Sequence, residues 1–113
     1  MTFAARTLAF RSTTNGFTTP ALMNGSTTFA VMQAVAVNSA GLFVAVGYDN
    51  TSAPLYATSS NGSTWTTPAL MNGSTSYAEM RAVTVNSAGL FVAVGPGDGI
   101  STLTPVYAWA AFP

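Results

Sequence analysis

The sequence predicts an all-β fold assembled from tandem repeats. Shifting the 113-residue chain by 48 positions superimposes residues 18–47 on residues 66–95, and 25 of these 30 positions are identical. The runs between turns are short and rich in Val, Thr, Tyr and Phe, which is typical of strands and shows no helical period. Asn-Gly and Ser-Ala-Gly separate these runs, because glycine supplies the positive φ that tight hairpins require.

The repeat divides the chain into three parts. Residues 1–17 form a partial unit, residues 18–65 the first repeat, and residues 66–113 the second repeat with a terminal strand. We predict four strands per repeat, each antiparallel to the next. One set of four, which spans the boundary between the two repeats, covers residues 55–59, 64–67, 80–85 and 90–94. The five mismatches between the copies read as conservative or surface exchanges, among them Val31/Glu79 and Gln33/Arg81.

Two apolar strands in each repeat indicate how the repeats pack. Residues 34–37 and 42–46 do not alternate apolar with polar, so both faces of their sheet should be covered by protein. Short four-stranded sheets that are covered on both sides predict β-propeller blades, stacked around an axis. Two repeats cannot close a ring, so we expect a homo-oligomer: a trimer with six blades first, a tetramer second, and a filament if the contact does not close.

One segment of each repeat resembles a known family. The run 59–65, Ser-Ser-Asn-Gly-Ser-Thr-Trp, and the later run 90–95, Leu-Phe-Val-Ala-Val-Gly, are similar to the Asp-box (BNR-like) repeat of sialidase-like propellers. That family usually has Asp where this chain has Asn61. The resemblance implies a structural turn and an aromatic plug between blades at Asn15, Gly16, Phe17, Asn61, Gly62 and Trp65.

Composition argues against catalysis and nucleic-acid binding. The chain has no His and no Cys, and its three arginines balance three acidic residues. General acid–base chemistry needs a positioned His, Lys or carboxylate pair, so we expect no enzyme, no metal site and no cofactor. Without a basic stripe, nucleic acid is not an expected partner. No apolar run approaches the ~20 residues that span a bilayer, so no membrane span is expected, and the compartment stays open between soluble, extracellular and virion-associated.

The longer loop of each repeat carries the best ligand candidates. Aromatic and small polar side chains together can bind a glycan or another surface ligand. The candidates are Asn24, Ser26, Phe29, Asn72, Ser74 and Tyr77. We therefore expect a non-catalytic propeller module that recognises glycans through repeated loops. The alternatives are a purely structural virion or fibre subunit, or a two-blade fragment of a longer propeller, since the chain starts and stops partway through a repeat.

Overall fold

Seven strands in two antiparallel sheets make up the fold. The computed structural model of the protein describes residues 16–97 and 104–112, and these ranges contain no α-helix. The strands are β1 (Val31–Val37), β2 (Phe43–Tyr48), β3 (Pro54–Ser59), β4 (Ala69–Leu70), β5 (Ala82–Val85), β6 (Leu90–Gly97) and β7 (Thr104–Ala111). Single 3-10 turns occupy Met23–Gly25 and Met71–Gly73. The all-β prediction is confirmed.

The two sheets are copies of one meander. The first sheet has the order β1-β2-β3-β4 and the second has the order β5-β6-β7. In the first sheet Val46 pairs with Tyr56. In the second, Val94 pairs with Tyr107. Since Val46 and Val94 are 48 positions apart in the repeat, β7 is the structural counterpart of β3, and the loop before it is three residues longer.

Two details of the strand prediction are wrong. Residues 64–67, predicted as the strand after 55–59, form no strand: Trp65 makes a single bridge to Ser59. The strand that follows β3 is displaced to Ala69–Leu70 and has only two residues. Pro68 lacks the N–H that continuous pairing needs, so the ladder starts again only after it. The second sheet has three strands in the described part of the chain, not four, because in the first sheet β4 comes from the segment after β3, and β7 has no such segment among these residues.

The core lies between the two sheets. The front face of the first sheet, which packs on this core, carries Ala34, Ala36, Val44, Val46 and Tyr56. The back face of the second sheet meets it and carries Val83, Val85, Phe91, Ala93, Val106 and Ala108. Because side chains alternate between the faces of a strand, each sheet also has a second face outside this contact. On the first sheet that face is partly buried, since Ala45, Leu55 and Ala57 are buried there.

Glycine is required where the first two strands of each unit approach most closely. A Cβ on Gly47 would lie 1.7 Å from the carbonyl oxygen of Val31, and a Cβ on Gly95 would lie 1.9 Å from that of Glu79. The register between β1 and β2 shifts between Met32 and Ala34, as at a β-bulge, and such sites bring backbones into close contact. The same constraint therefore recurs in both units.

The first sheet crosses the boundary between the two sequence repeats. It takes β3 from the first repeat and β4 from the second. The sheet, rather than the sequence repeat, is thus the unit that packs. The predicted partial unit up to residue 15, including Asn15, lies outside the described residues.

Candidate functional site

The second sheet presents an apolar front face to solvent. Val94, Tyr107 and Trp109 are 45%, 71% and 64% exposed. Pairing places Val94 beside Tyr107, and Val92 beside Trp109, so these side chains share one face of the sheet. Contiguous exposed apolar surface with large aromatic side chains is typical of an interaction surface. We call this surface the open front face.

The same face is buried in the first sheet. Val46, the repeat copy of Val94, is 1% exposed, and Val44, the copy of Val92, is 4% exposed. Tyr56, which occupies the register position of Tyr107, packs on the core between the sheets. The two faces differ in exposure because the back face of the second sheet covers the front face of the first sheet. Within the described chain, no sheet covers the open front face of the second sheet.

Two valines are exposed on the back of the first sheet. Val35 and Val37 on β1 are 56% and 45% exposed. Their repeat copies, Val83 and Val85, pack against the core from the back of the second sheet. On the same face, Ala45, Leu55 and Ala57 of β2 and β3 are buried. The back of the first sheet is therefore exposed only along β1, through the valines whose repeat copies cover the front face of the first sheet.

The two loops that carry the ligand candidates have the same backbone conformation. Asn24 and Asn72 lie in the left-handed region at φ 50° and φ 49°, where Asn is better tolerated than most residues. In each loop a serine hydroxyl accepts the N–H two residues further on, at 3.3 Å from Thr28 to Ser26 and from Ser76 to Ser74. These serines therefore shape the loop as well as being ligand candidates.

The aromatic residues of these loops differ in exposure. Phe29 is 57% exposed and Tyr77 is 37% exposed. Asn24 donates a hydrogen bond of 2.6 Å to the Thr67 hydroxyl, whereas Asn72 lines the cavity between the sheets. The two loops thus have different neighbours. They form two separate copies of one polar and aromatic surface, not a single joint pocket.

The Asn61 side chain organises the turn after β3. Its Oδ1 accepts the N–H groups of Ser63 at 2.9 Å and Thr64 at 2.8 Å. Trp65 Nε1 donates to the carbonyl oxygen of Gly62 at 3.1 Å, and its ring contacts Phe43 of the same sheet with centroids 6.3 Å apart. Trp65 is thus partly buried on its own sheet. Phe17, at the matching sequence position, is 82% exposed.

Two substitutions of Asn61 distinguish the role of its side-chain oxygen, which accepts hydrogen bonds, from that of its NH2 group. Asn61→Ala should lower the free energy of unfolding by about 1–2 kcal/mol, because two backbone N–H groups lose their acceptor. Asn61→Asp should cost much less, since a carboxylate oxygen accepts both bonds. Urea unfolding of the two variants measures the difference. Equal losses for Ala and Asp would contradict this role of Oδ1.

Sequence reasoning missed a polar cluster that connects the sheets. Glu79 was interpreted as a surface exchange, but it is only 9% exposed. Its carboxylate accepts a 2.6 Å hydrogen bond from the Ser52 hydroxyl and pairs with Arg81. Arg81 also lies 5.6 Å from the ring centroid of Tyr48. The only sequence signal for this cluster was the mismatch Val31/Glu79 between the two repeats. It did not reveal the partner, because Ser52 is 27 positions away and meets Glu79 only in the folded chain.

This cluster predicts an acid-dependent stability. The Ser52 hydroxyl, with a smaller contribution from Arg81, holds the pKa of Glu79 below its ordinary value of 4.5, although burial acts in the opposite direction. A lowered folded-state pKa means that the ionised carboxylate stabilises the fold above pH 4.5, and that this stabilisation is lost as pH falls through the lowered pKa.

Ser52→Ala should therefore destabilise the protein by about 1–2 kcal/mol at pH 7 and by much less at an acid pH below the lowered pKa of Glu79, where the carboxyl group is protonated in both proteins. Urea unfolding at both pH values, at one protein concentration, measures this. Ser60→Ala is the matched control, since Ser60 is exposed. A Ser52→Ala effect of the same size at both pH values would contradict the assignment to the carboxylate.

An apolar cavity of about 310 Å³ opens between the sheets. Its lining includes Val46, Tyr56, Asn72, Phe91, Ala108 and Phe112.

The other described carboxylate is Asp49. Its Oδ1 accepts hydrogen bonds within its own loop, from the N–H and hydroxyl groups of Thr51 and from the N–H of Ala53. In the described ranges no three acidic, His or Cys side chains come together as metal ligands, and no helix there is long and apolar enough to cross a membrane.

The chain was compared with family models, curated proteins and solved structures, and none of the three comparisons found a match.

Proposed function

We propose that this chain is a non-catalytic module that assembles with copies of itself into a β-propeller. One observation carries the proposal: the open front face is uncovered, while its repeat copy in the first sheet is buried against a neighbouring sheet. The contact within one chain is thus a template for the contact between chains. The second sheet of one copy would stack on the first sheet of the next.

This stacking is head to tail. The open front face of one copy meets the back of the next copy's first sheet, where Val35 and Val37 are exposed. A head-to-tail contact closes into a ring or continues as a filament. With two sheets per chain, three chains give six blades and four chains give eight, both within the common range for propellers. The trimer is our first choice.

The junction between copies differs from the one within a chain. Glu79 and Arg81 strengthen the internal junction through Ser52 and Tyr48. At the junction between copies, Val31 and Gln33 of the next copy would occupy these positions. That junction would have no ion pair at this point, and its stability would come from apolar burial, which does not weaken with salt.

Repeated loops favour recognition as the role of the assembly. Each sheet carries one copy of the loop with Asn24, Ser26 and Phe29, or with Asn72, Ser74 and Tyr77. A ring that repeats this surface gains avidity for a repetitive ligand, and polar side chains beside an exposed aromatic suit a glycan. The rival is a structural virion or fibre subunit, which the large apolar faces favour.

The native mass of the protein tests the assembly. We expect native mass spectrometry and sedimentation at micromolar concentration to give three copies per particle, with four as the second choice. A particle of undefined length would indicate the filament. A monomer at these concentrations would overturn the proposal, because the open front face and the exposed valines of β1 would then remain in water.

A glycan array tests the recognition role separately. The assembled protein should bind at least one glycan class, and Phe29→Ala with Tyr77→Ala should abolish that binding without changing the native mass. Ordered assembly without binding to any glycan would favour the structural role. Binding that survives both substitutions would show that these loops are not the binding surface.

A further inference from the structure

Within the described residues, the outer edge of β7 has no partner strand. Among residues 16–97 and 104–112, β7 pairs only with β6. An edge of this kind presents a row of backbone N–H and C=O groups that can pair with a further strand. Natural proteins usually cover or interrupt such an edge, so its eight residues call for a partner.

In the first sheet the corresponding edge is paired, and this shows which kind of strand β7 lacks. There β3, the counterpart of β7, pairs with β4: Leu55 lies opposite Leu70, and Tyr56 opposite Ala69. By register, Val106 takes the position of Leu55, and Tyr107 that of Tyr56. The missing strand should therefore resemble Ala69–Leu70 in sequence and in backbone conformation.

A segment near the start of the chain meets both requirements. Residues 20–25 and residues 68–73 have the same sequence, Pro-Ala-Leu-Met-Asn-Gly. Leu22 has φ −71° and ψ 138°, and Leu70 has φ −67° and ψ 136°. Both are already extended. The 3-10 turn that follows β4 also follows Leu22, at Met23–Gly25.

This segment belongs to no strand in the described chain. Ala21 and Leu22 are outside every ladder there, and Leu22 is 63% exposed. Leu70, its copy, is partly buried in its pairing with β3. The chain thus holds a strand-like segment without a sheet, and a sheet edge that lacks this very segment.

We propose that Ala21–Leu22 of a second copy adds to β7 as its fourth strand. In the register of the first sheet, Leu22 of the second copy lies opposite Val106, and Ala21 lies opposite Tyr107. The strand is antiparallel and its backbone hydrogen bonds provide affinity independent of side-chain identity. This inference rests on the proposed self-assembly and specifies which segment is exchanged.

The register agrees with the position of the cavity between the sheets. One step along from Ala21, Pro20 lies opposite Ala108, which lines that cavity. Pro20 and Leu22 point to the same face as Ala108 and Val106, because side chains alternate along a strand. The added strand therefore places two apolar side chains on the face of the second sheet that borders the cavity.

Single cysteines test this contact without background, because the chain has no Cys. One copy carries Leu22→Cys and another carries Val106→Cys, with an affinity tag on one of them. Paired positions of an antiparallel ladder have Cα atoms ~4.5–5.5 Å apart, within the range for a disulfide. After mixing and mild oxidation, a tagged–untagged dimer should be at least tenfold more abundant than with Thr27→Cys in place of Leu22→Cys.

Three further cysteine combinations protect the test from a folding defect. Leu55→Cys with Leu70→Cys in one chain should form an internal disulfide without doubling the mass, which checks the template pairing. Ala21→Cys mixed with Tyr107→Cys uses two exposed positions and should also form the mixed dimer. Mixed Leu22→Cys and Tyr107→Cys should not, since these side chains point to opposite faces.

The outcomes separate this inference from the assembly itself. A multimeric native mass without any mixed dimer would overturn the strand exchange and leave the stacked assembly in place. A monomeric mass would overturn both. Preferential bonding of Leu22→Cys to Tyr107→Cys would overturn the register. Mixed dimers from both predicted pairs, in a protein of multimeric mass, would support the exchange.

Discussion

Trp109→Arg should convert the assembled protein into a monomer. Trp109 is 64% exposed in the single chain, so the fold tolerates the change, but in the proposed stack the residue would lie in the apolar contact between copies. Charging an aromatic residue that is buried in an apolar interface costs about 2–4 kcal/mol. The dissociation constant should rise roughly 30- to 1,000-fold. Sedimentation velocity over a range of protein concentrations measures this shift.

The control for this variant introduces the same charge elsewhere. Ser60→Arg changes an exposed residue of the turn after β3, away from both sheet faces, and should leave the native mass unchanged. Both variants should unfold at urea concentrations close to the parent value when measured as monomers. If Trp109→Arg assembles as well as Ser60→Arg, the open front face is not the interface between copies.

Gly47→Ala should destabilise the fold more than any other single methyl group added to a described glycine. The new Cβ would lie 1.7 Å from the carbonyl oxygen of Val31, which belongs to backbone and cannot move aside without breaking the pairing of β1 and β2. Overpacking typically costs about 1–3 kcal/mol, and here the obstacle is backbone, so we expect the upper end of that range or more. Thermal or urea unfolding measures it.

Gly73→Asn provides the comparison for this prediction. Gly73 has φ +67°, and no atom lies within 4 Å of the place where a Cβ would stand. Asn is the residue that best tolerates the left-handed region, so the substitution should cost less than about 1 kcal/mol. A Gly47→Ala protein as stable as Gly73→Asn would contradict the close approach of β1 and β2.

The repeat and the turn residues made most of the fold predictable. Identical residues in two copies imply identical local structure, and the copies Val46 and Val94 have the same strand pairing. Continuous apolar runs indicated that the sheets need cover, because no face of such a strand is polar enough for water. The strand after β3 was misplaced because one proline, Pro68, decided where the ladder could resume.

The candidate site was less accessible to sequence reasoning. Loop residues such as Phe29 and Tyr77 stood out through their chemistry, and their exposure is consistent with contact to a ligand. The aromatics of the open front face, Tyr107 and Trp109, were seen only as part of a terminal strand. Their exposure depends on which sheet lies beside them, and that is a property of packing rather than of local pattern.

By itself, the sequence determined the strand-and-turn chemistry and the presence of two copies of one unit, because periodicity, glycine and β-branched residues act over a few neighbouring positions. Only the tertiary structure decided which faces are covered, which edge is open, and that Glu79 meets Ser52 across 27 positions of chain. Those outcomes depend on how the two sheets stack, and residues far apart in sequence carry no local mark of the contacts that stacking creates.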